Sequence, residues 1–418
     1  MSEMPSHTPH PAQHLVALGL RRRYRRDALL RHLCRISTFI AVSFVAVLCS
    51  GIVWFALPGL KRHEVLIQVD FPQSLPQSGL ALPNLLSRGF HKVASASTDE
   101  ALGLISPGAH RVLWHKMRHK PHLLGHTKRI WLPLNDTADQ FLKGKVSRAS
   151  GEDAQQLSDP QIELLEQWQR QNQIRSKWHT KIFTHSDSRL PDQAGLFSAF
   201  LGSLWLLLIT FMVACPLGVA AAIYLEEFAK PGFLSRLIEV NISNLAAVPS
   251  IVFGLLGFAV FLSLGGLPRS SVLVGGLTLS LMALPTIIIA TRTALRTVPK
   301  SLRDAALGLG ASRIQTTFHQ VLPLALPGIA TGTLISLSRT LGETAPLLMV
   351  GMMAYVGSSP TSPLDPSSAL PVQVFNWARL PEPGFLANAA VGLMVLLVLL
   401  GLLNWCAFKI REKCQVSY

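Results

Sequence analysis

The stretch "VPKSLRDAALGLGASRIQTTFHQVLP" (298–323) is a polar island between two apolar runs. Windows at 270–291 and 314–338 hold no Asp, Glu, Lys or Arg. The island itself parses as two short helices with a glycine break. Pro299 suits a first helical turn and Gly310 a C-terminal cap. Ser312 then starts a second helix, with Gln315 three residues on as its capping-box partner. Ile314, Phe318, Val321 and Leu322 give that helix an apolar stripe, and Pro323 marks entry into the next apolar run. A short helix held between two arms, offering Ala305, Ala306 and Leu307 outward, is a shape that another protein's groove can grip.

Working outward, the chain has 418 residues, of which 49% are hydrophobic and only 15% charged. Soluble domains carry about 25% charged residues. Charge-free windows recur at 36–60, 193–225, 240–268, 270–291, 314–338 and 383–408. Each approaches the ~20 apolar residues that cross a bilayer as a helix. The sequence therefore predicts six transmembrane helices. With the N-terminus in the cytoplasm, seventeen Lys and Arg flank the helices on that side, and the two short outer loops carry one each, Arg269 and Arg379. That is a positive-inside pattern. It also accounts for much of the net charge of +15 by contact with anionic lipid rather than nucleic acid.

The five cysteines, Cys34, Cys49, Cys215, Cys406 and Cys414, all lie outside the long segment between the first two windows, so that segment must fold without a disulfide. The first window is too long for a signal-peptide core and follows a long basic arm, so it reads as a retained span. The expected organisation is a flexible basic cytoplasmic tail at 1–35, a first span at 36–60, an extracytoplasmic insert at 61–195, a five-span core at 196–410 with its loop at 292–323, and a second tail at 411–418. In the insert, the alternation of Val65, Ile67 and Val69 predicts a strand. Ile162, Leu165 and Trp168 stand at helical spacing. The insert thus reads as a small α+β domain on an otherwise all-α protein. It also holds His110, His115, His119, His122 and His126. Pro121 interrupts their helix and no carboxylate or cysteine lies among them, which favours a solvated basic face over a metal site.

Pro216, Pro249, Gly254, Gly257, Pro285 and Pro327 fall inside the spans, where neighbouring helices satisfy the freed backbone and glycine permits close approach. No G-x-x-x-x-G-K-[ST] phosphate loop occurs, so ATP hydrolysis by that route is not expected of this chain. One span carries charges in "SRTLGETAPLLMVG" (338–351). A continuous helix over 324–356 would be about 50 Å long, against a hydrocarbon core of about 30 Å. It must break, and Gly342 and Pro346 are the natural places. Arg339 and Glu343 share one helical face and are spaced to pair. A restart with Thr344 as N-cap and Pro346 in the first turn would aim backbone N–H groups at Arg339. These residues read either as a transient anion station, with Ser250 lining the route, or as an ion pair that locks a partner subunit. Asn241 and Asn244 are expected to cap the third span.

Asp304-Ala305-Ala306, with Gly310 and Leu322-Pro323 following, resembles the EAA loop of ABC importer permeases. "GVAAAIYLEEFA" (218–229), "NLAAVPSIVFGLLG" (244–257) and "LGETAPLL" (341–348) resemble the PstA-type permease of the phosphate importer. "IWLPLNDTADQFLKG" (130–144) and "THSDSRLPDQAG" (184–195) are similar to its longer subtype, which carries an extracytoplasmic insert. The sequence departs from the family pattern at Asp304, where Glu is usual, at Gln320, and at Arg292 and Thr293, where acidic residues are frequent.

The resemblance implies the type I ABC importer permease architecture in the bacterial inner membrane. It also implies a second, PstC-type permease, two copies of a PstB-type ATPase docked at Asp304, Ala305, Ala306, Leu307 and Gly310, and a PstS-type periplasmic protein delivering inorganic phosphate. This chain would bind no cofactor; ATP and magnesium would sit on the ATPase. The competing readings are a permease for sulfate or molybdate and a membrane-anchored sensor whose insert binds a ligand. Against an intramembrane enzyme, the spans show no paired catalytic carboxylates.

Overall fold

A computed structural model describes residues 11–72, 98–145, 157–352 and 355–414. The chain divides into two units, at residues 1–54 and 55–418. The first unit is dominated by helix α1 (Pro11–Ala56), and the segment Arg26–Leu60 is long and apolar enough to cross a membrane. The expected flexible tail over 1–35 is instead helical from Pro11 onward; residues 1–10 lie outside the described residues. Composition explains the difference. Residues 11–35 are rich in Leu, Ala and Arg, which are strong helix formers, and Asp27 pairs with Arg31 one turn later at 2.7 Å.

The insert begins the second unit. Its elements run β1 (Lys61–Asp70), α2 (Thr98–Gly103), α3 (Ala109–His119), β2 (Thr127–Pro133), α4 (Asp136–Leu142), α5 (Asp159–Arg170), β3 (Ile174–Trp178) and α6 (Lys181–Thr184). The strands form one antiparallel sheet in the order β2-β1-β3. Alternation places Val65, Ile67 and Val69 on one face. They are buried with Ile130 and Leu132 of β2, Leu113 and Met117 of α3, and Leu165 and Trp168 of α5. A capping box of Ser158 and Gln161 starts α5. Helix α3 ends at His119, two residues before Pro121. The His115 and His119 rings lie 4.2 Å apart, and the described residues contain no group of three His, Cys, Asp or Glu placed to hold a metal ion.

The helical core runs α7 (Phe197–Ile223), α8 (Phe233–Ala246), α9 (Ser250–Gly257), α10 (Val272–Thr297), α11 (Lys300–Gly308), α12 (Arg313–Thr316), α13 (Leu322–Leu341), α14 (Ala345–Met349), α15 (Leu370–Ala378) and α16 (Pro383–Cys414). π-helical turns extend α7 through Phe228 and α9 through Leu264, and join α12 to α13. Among the described residues five helices are long and apolar enough to span a membrane, and a sixth span requires counting α8 and α9 together. Those two are bent by 100°, so the third span expected over 240–268 is a broken pair rather than one helix. Pro249 lacks an N–H and adopts ψ 138°, which interrupts the helix and restarts it at Ser250. The expected asparagine caps also fail. Asn241 donates to the Leu237 carbonyl inside α8, and Asn244 lies within the same helix, accepting at its carbonyl from the Ala247 N–H.

The insert is bolted to the last span by a buried polar cluster. Arg62 Nη1 donates to Asp136 at 2.9 Å and to Asp139 at 3.1 Å, while Nη2 reaches Asn388 of α16 at 3.4 Å. The other Asp136 oxygen accepts the Gly384 N–H at 2.6 Å, capping the first turn of α16. Asn388 donates onward to the Pro191 carbonyl. Asp139 is 1% exposed. Burial pushes its carboxyl up, but the hydrogen bond with His63 and the Arg62 and Lys143 charges outweigh this and hold it well below the usual carboxylate range.

Candidate functional site

The helix that carries Arg339 is placed by small residues. A Cβ on Gly328 would lie 2.8 Å from the Ala294 Cβ, and one on Gly332 would lie 2.6 Å from the Ala290 Cβ. One turn further, Ser336 and Thr286 share a hydroxyl hydrogen bond of 2.5 Å. Steps of four thus run up α13 at 328, 332 and 336 and down α10 at 294, 290 and 286. The backbones meet along this seam because nothing larger intervenes. Helix α9 approaches by the same device. A Cβ on Gly254 would lie 2.7 Å from the Pro346 Cα, and one on Gly257 would lie 2.2 Å from the Thr278 hydroxyl.

Where the seam ends, the three elements part around a cavity of about 320 Å³. Ser250 and Phe253 line it from α9, Met282 and Thr286 from α10, and Arg339, Thr340 and Glu343 from the end of α13. The turn from Leu245 to Pro249 closes one side. Three of the four expected pathway residues, Ser250, Arg339 and Glu343, therefore share one cavity. Thr344 does not line it.

The break falls where chain length demands it. Helix α13 ends at Leu341 with Gly342 as its C-cap. Helix α14 restarts after Thr344 with Pro346 in its first turn, although the Thr344 side chain makes no cap hydrogen bond. This separates the charges. Glu343 lies beyond the helix, so the i, i+4 geometry that would have paired it with Arg339 is lost. Among the described residues neither side chain has an ion-pair or hydrogen-bond partner. Arg339 is exposed and Glu343 half-buried. The restart is also only five residues long, a single turn with little dipole, so the expected help from its N–H groups is withdrawn.

The loop at the other end of α10 has the expected parts. Helix α11 ends before Gly310, whose φ of +88° suits glycine. Ser312 and Gln315 form a capping box. Asp304, Ala305, Leu307 and Gly310 are exposed, and Ala306 is half-buried. Of the predicted stripe on the second helix, Val321 is buried, but Ile314 and Phe318 are exposed.

Beneath this loop lies a charge network that sequence reasoning missed. Glu226 accepts from Arg292 at 3.2 Å and Arg296 at 2.8 Å, and Arg292 also pairs with Glu239 of α8. Glu227 accepts from Arg303 at 2.8 Å. The signal was present in the adjacent acids of "YLEEF", standing where the flanks are otherwise basic.

Residues 214–412 match a family described as the binding-protein-dependent transport system inner membrane component. Residues 17–152 match a domain of unknown function, DUF3333. The chain is 34% identical over 244 residues to phosphate transport system permease protein PstA 1 of Mycobacterium tuberculosis (strain CDC 1551 / Oshkosh), covering 57% of this chain and 77% of that one. It is 35% identical over 219 residues to the PstA protein of Yersinia pestis, covering 52% and 73%. It is 30% identical over 253 residues to the probable ABC transporter permease protein YqgI of Bacillus subtilis (strain 168), covering 57% and 86%. Among solved structures, an inward-facing MetNI methionine ABC transporter chain aligns with a TM-score of 0.42 and 18% identity, over 53% of this chain and 95% of that one.

Proposed function

This chain belongs to the PstA-type family of phosphate-transport permeases, and we propose that it lines the path of inorganic phosphate through an ATP-driven importer together with a second, PstC-type permease. The observation that carries the reading is the cavity at the end of the small-residue seam, which Arg339 and Glu343 both line, neither with an ion-pair partner among the described residues. An arginine within a span is costly unless it faces a cavity or a partner. There it offers a planar fork of donors to a phosphate oxyanion, and the Ser250 hydroxyl adds a donor or acceptor. Glu343 offsets the positive charge and accepts from a protonated phosphate oxygen. A weak net field suits passage, since the ion must leave as well as enter.

Both termini and the 292–323 loop, on this reading, lie in the cytoplasm of a bacterial inner-membrane protein, and the insert outside, which the basic flanks support. On this reading a PstB-type ATPase pair grips Asp304, Ala305, Ala306, Leu307 and Gly310, with ATP and magnesium bound there. A PstS-type protein delivers phosphate on the insert side. The test is Arg339→Gln in a strain lacking the native chain. Uptake of labelled phosphate should be abolished, while the permease pair and ATPase still co-purify. Retained uptake would sink the pathway role, and loss of assembly would favour a subunit-locking one instead. Competition by sulfate or molybdate in the same assay separates the oxyanions.

A further inference from the structure

Helix α11 is tied to the spans by very little polypeptide. Only Val298 and Pro299 join it to α10, and a glycine turn at 310 joins it to α12. It buries none of its own residues; Leu302, half-buried, is its one apolar contact with the cluster around Leu295, Val298 and Val321. A helix so attached would swivel on its joints when pulled.

Arg303 prevents this. Its Nη1 donates to the Val298 carbonyl at 2.7 Å, and its Nη2 donates to the Leu295 carbonyl at 2.8 Å, closing the last turn of α10. The same guanidinium reaches both oxygens of Glu227, through Nη2 at 2.8 Å and Nε at 3.4 Å. The fork geometry fixes direction as well as distance. Both partners are shielded, with side chains 19% and 11% exposed, so the contact is screened less than an open surface pair. Glu227 stands on the π-helical turn that ends α7, beside Glu226, whose carboxylate holds Arg292 and Arg296 of α10. Two consecutive acids thus join α7 to α11 and to α10.

We propose that Arg303 and Glu227 are positioning residues for energy coupling: their clamp makes α11 one rigid body with α7 and α10, so displacement of the loop moves those spans instead of bending its joints. This rests on the proposed docking of the ATPase at α11. Neither residue lines the Arg339 cavity. Both share a second cavity, of about 520 Å³, with Asp304 and Leu307, but neither is one of the proposed docking residues, so ATPase co-purification is the control that separates lost coupling from lost docking.

The test is the number of phosphate ions transported per ATP hydrolysed by the complete transporter in proteoliposomes. Arg303→Lys keeps the charge but loses the fork, and Glu227→Gln keeps an acceptor but loses the charge. Each is expected to lower the ratio roughly tenfold, the scale of one shielded charged hydrogen bond, with ATPase co-purification and basal hydrolysis unchanged. Glu227→Cys with Arg303→Cys, made in a background lacking the five native cysteines, should be uncoupled when reduced. Joining the two thiols with a short bis-maleimide should restore the ratio. A wild-type ratio in the single variants, or an uncoupled double variant that confirmed cross-linking fails to restore, overturns the clamp. Failure of the wild-type chain to hold the ATPase overturns the docking reading instead.

Discussion

Mild acid should loosen the junction between the insert and the spans through one histidine. His179 follows β3 and is 6% exposed. Its Nε2 donates to the Asp192 carbonyl at 3.1 Å, and its Nδ1 is buried with no partner. Protonation would add an unpaired N–H and a charge beside Arg62, with Lys181 and Lys143 nearby. Burial first, then the Arg62 charge, pushes the ring down from 6.5 to about 3. Between these values the unfolded chain holds a proton that the folded chain refuses. The stabilisation is therefore complete above pH 6.5 and drains away as pH falls toward 3. At 1.36 kcal/mol per unit, the step from pH 7 to pH 5 removes about 2 kcal/mol. His179→Gln keeps a donor for Asp192 and cannot be charged. Hydrogen exchange of the amides over 174–196, in the full chain in detergent, reads the opening equilibrium directly. Protection should fall roughly 25-fold more in the native chain than in the variant over that pH step. Equal falls in the two proteins would refute the argument, because His185 and every other titrating group is common to both.

Two further outcomes follow from the packing. Asp139→Asn strips the buried Arg62 and Lys143 of their shared carboxylate and should cost about 3–5 kcal/mol, read by denaturation in detergent. Because that carboxyl is held below its ordinary value of 3.8, the native chain should keep this stabilisation above pH 4 and lose it only in stronger acid. Gly332→Val drives a side chain into Ala290 and should cost about 1–3 kcal/mol by overpacking. It should also displace Arg339 from its cavity, so phosphate uptake falls while the loop-side salt bridges, and with them ATPase co-purification, survive.

Much of this was legible in one dimension. Val65, Ile67 and Val69 announced β1, and Ile162, Leu165 and Trp168 announced α5, because burial of one face imposes a period on the chain. Ser312 with Gln315 gave a cap, since both bonds are local. The break near Gly342 followed from the length of an apolar run against the thickness of a bilayer. The failures share a cause. A charge-free window measures composition and not direction, so the 100° bend at Pro249 stayed hidden inside one apparent span. The i, i+4 rule presumes one helix, and Arg339 and Glu343 lost their pairing when the helix stopped between them.

The sequence by itself determined the membrane class, the positions of five apolar helices, the loop between α10 and α13, and the charges in the stretch 338–351. Each is written in apolar periodicity, chain length or local capping, which act over a few residues. Only the tertiary structure decided that Ser250 shares a cavity with Arg339 and Glu343, that Arg62 of the insert fastens to Asn388 of the last span, and that Glu227 takes Arg303. Those contacts join residues tens to hundreds of positions apart. They exist because glycine and alanine seams let particular helices approach, and no local pattern encodes which helix will be on the other side.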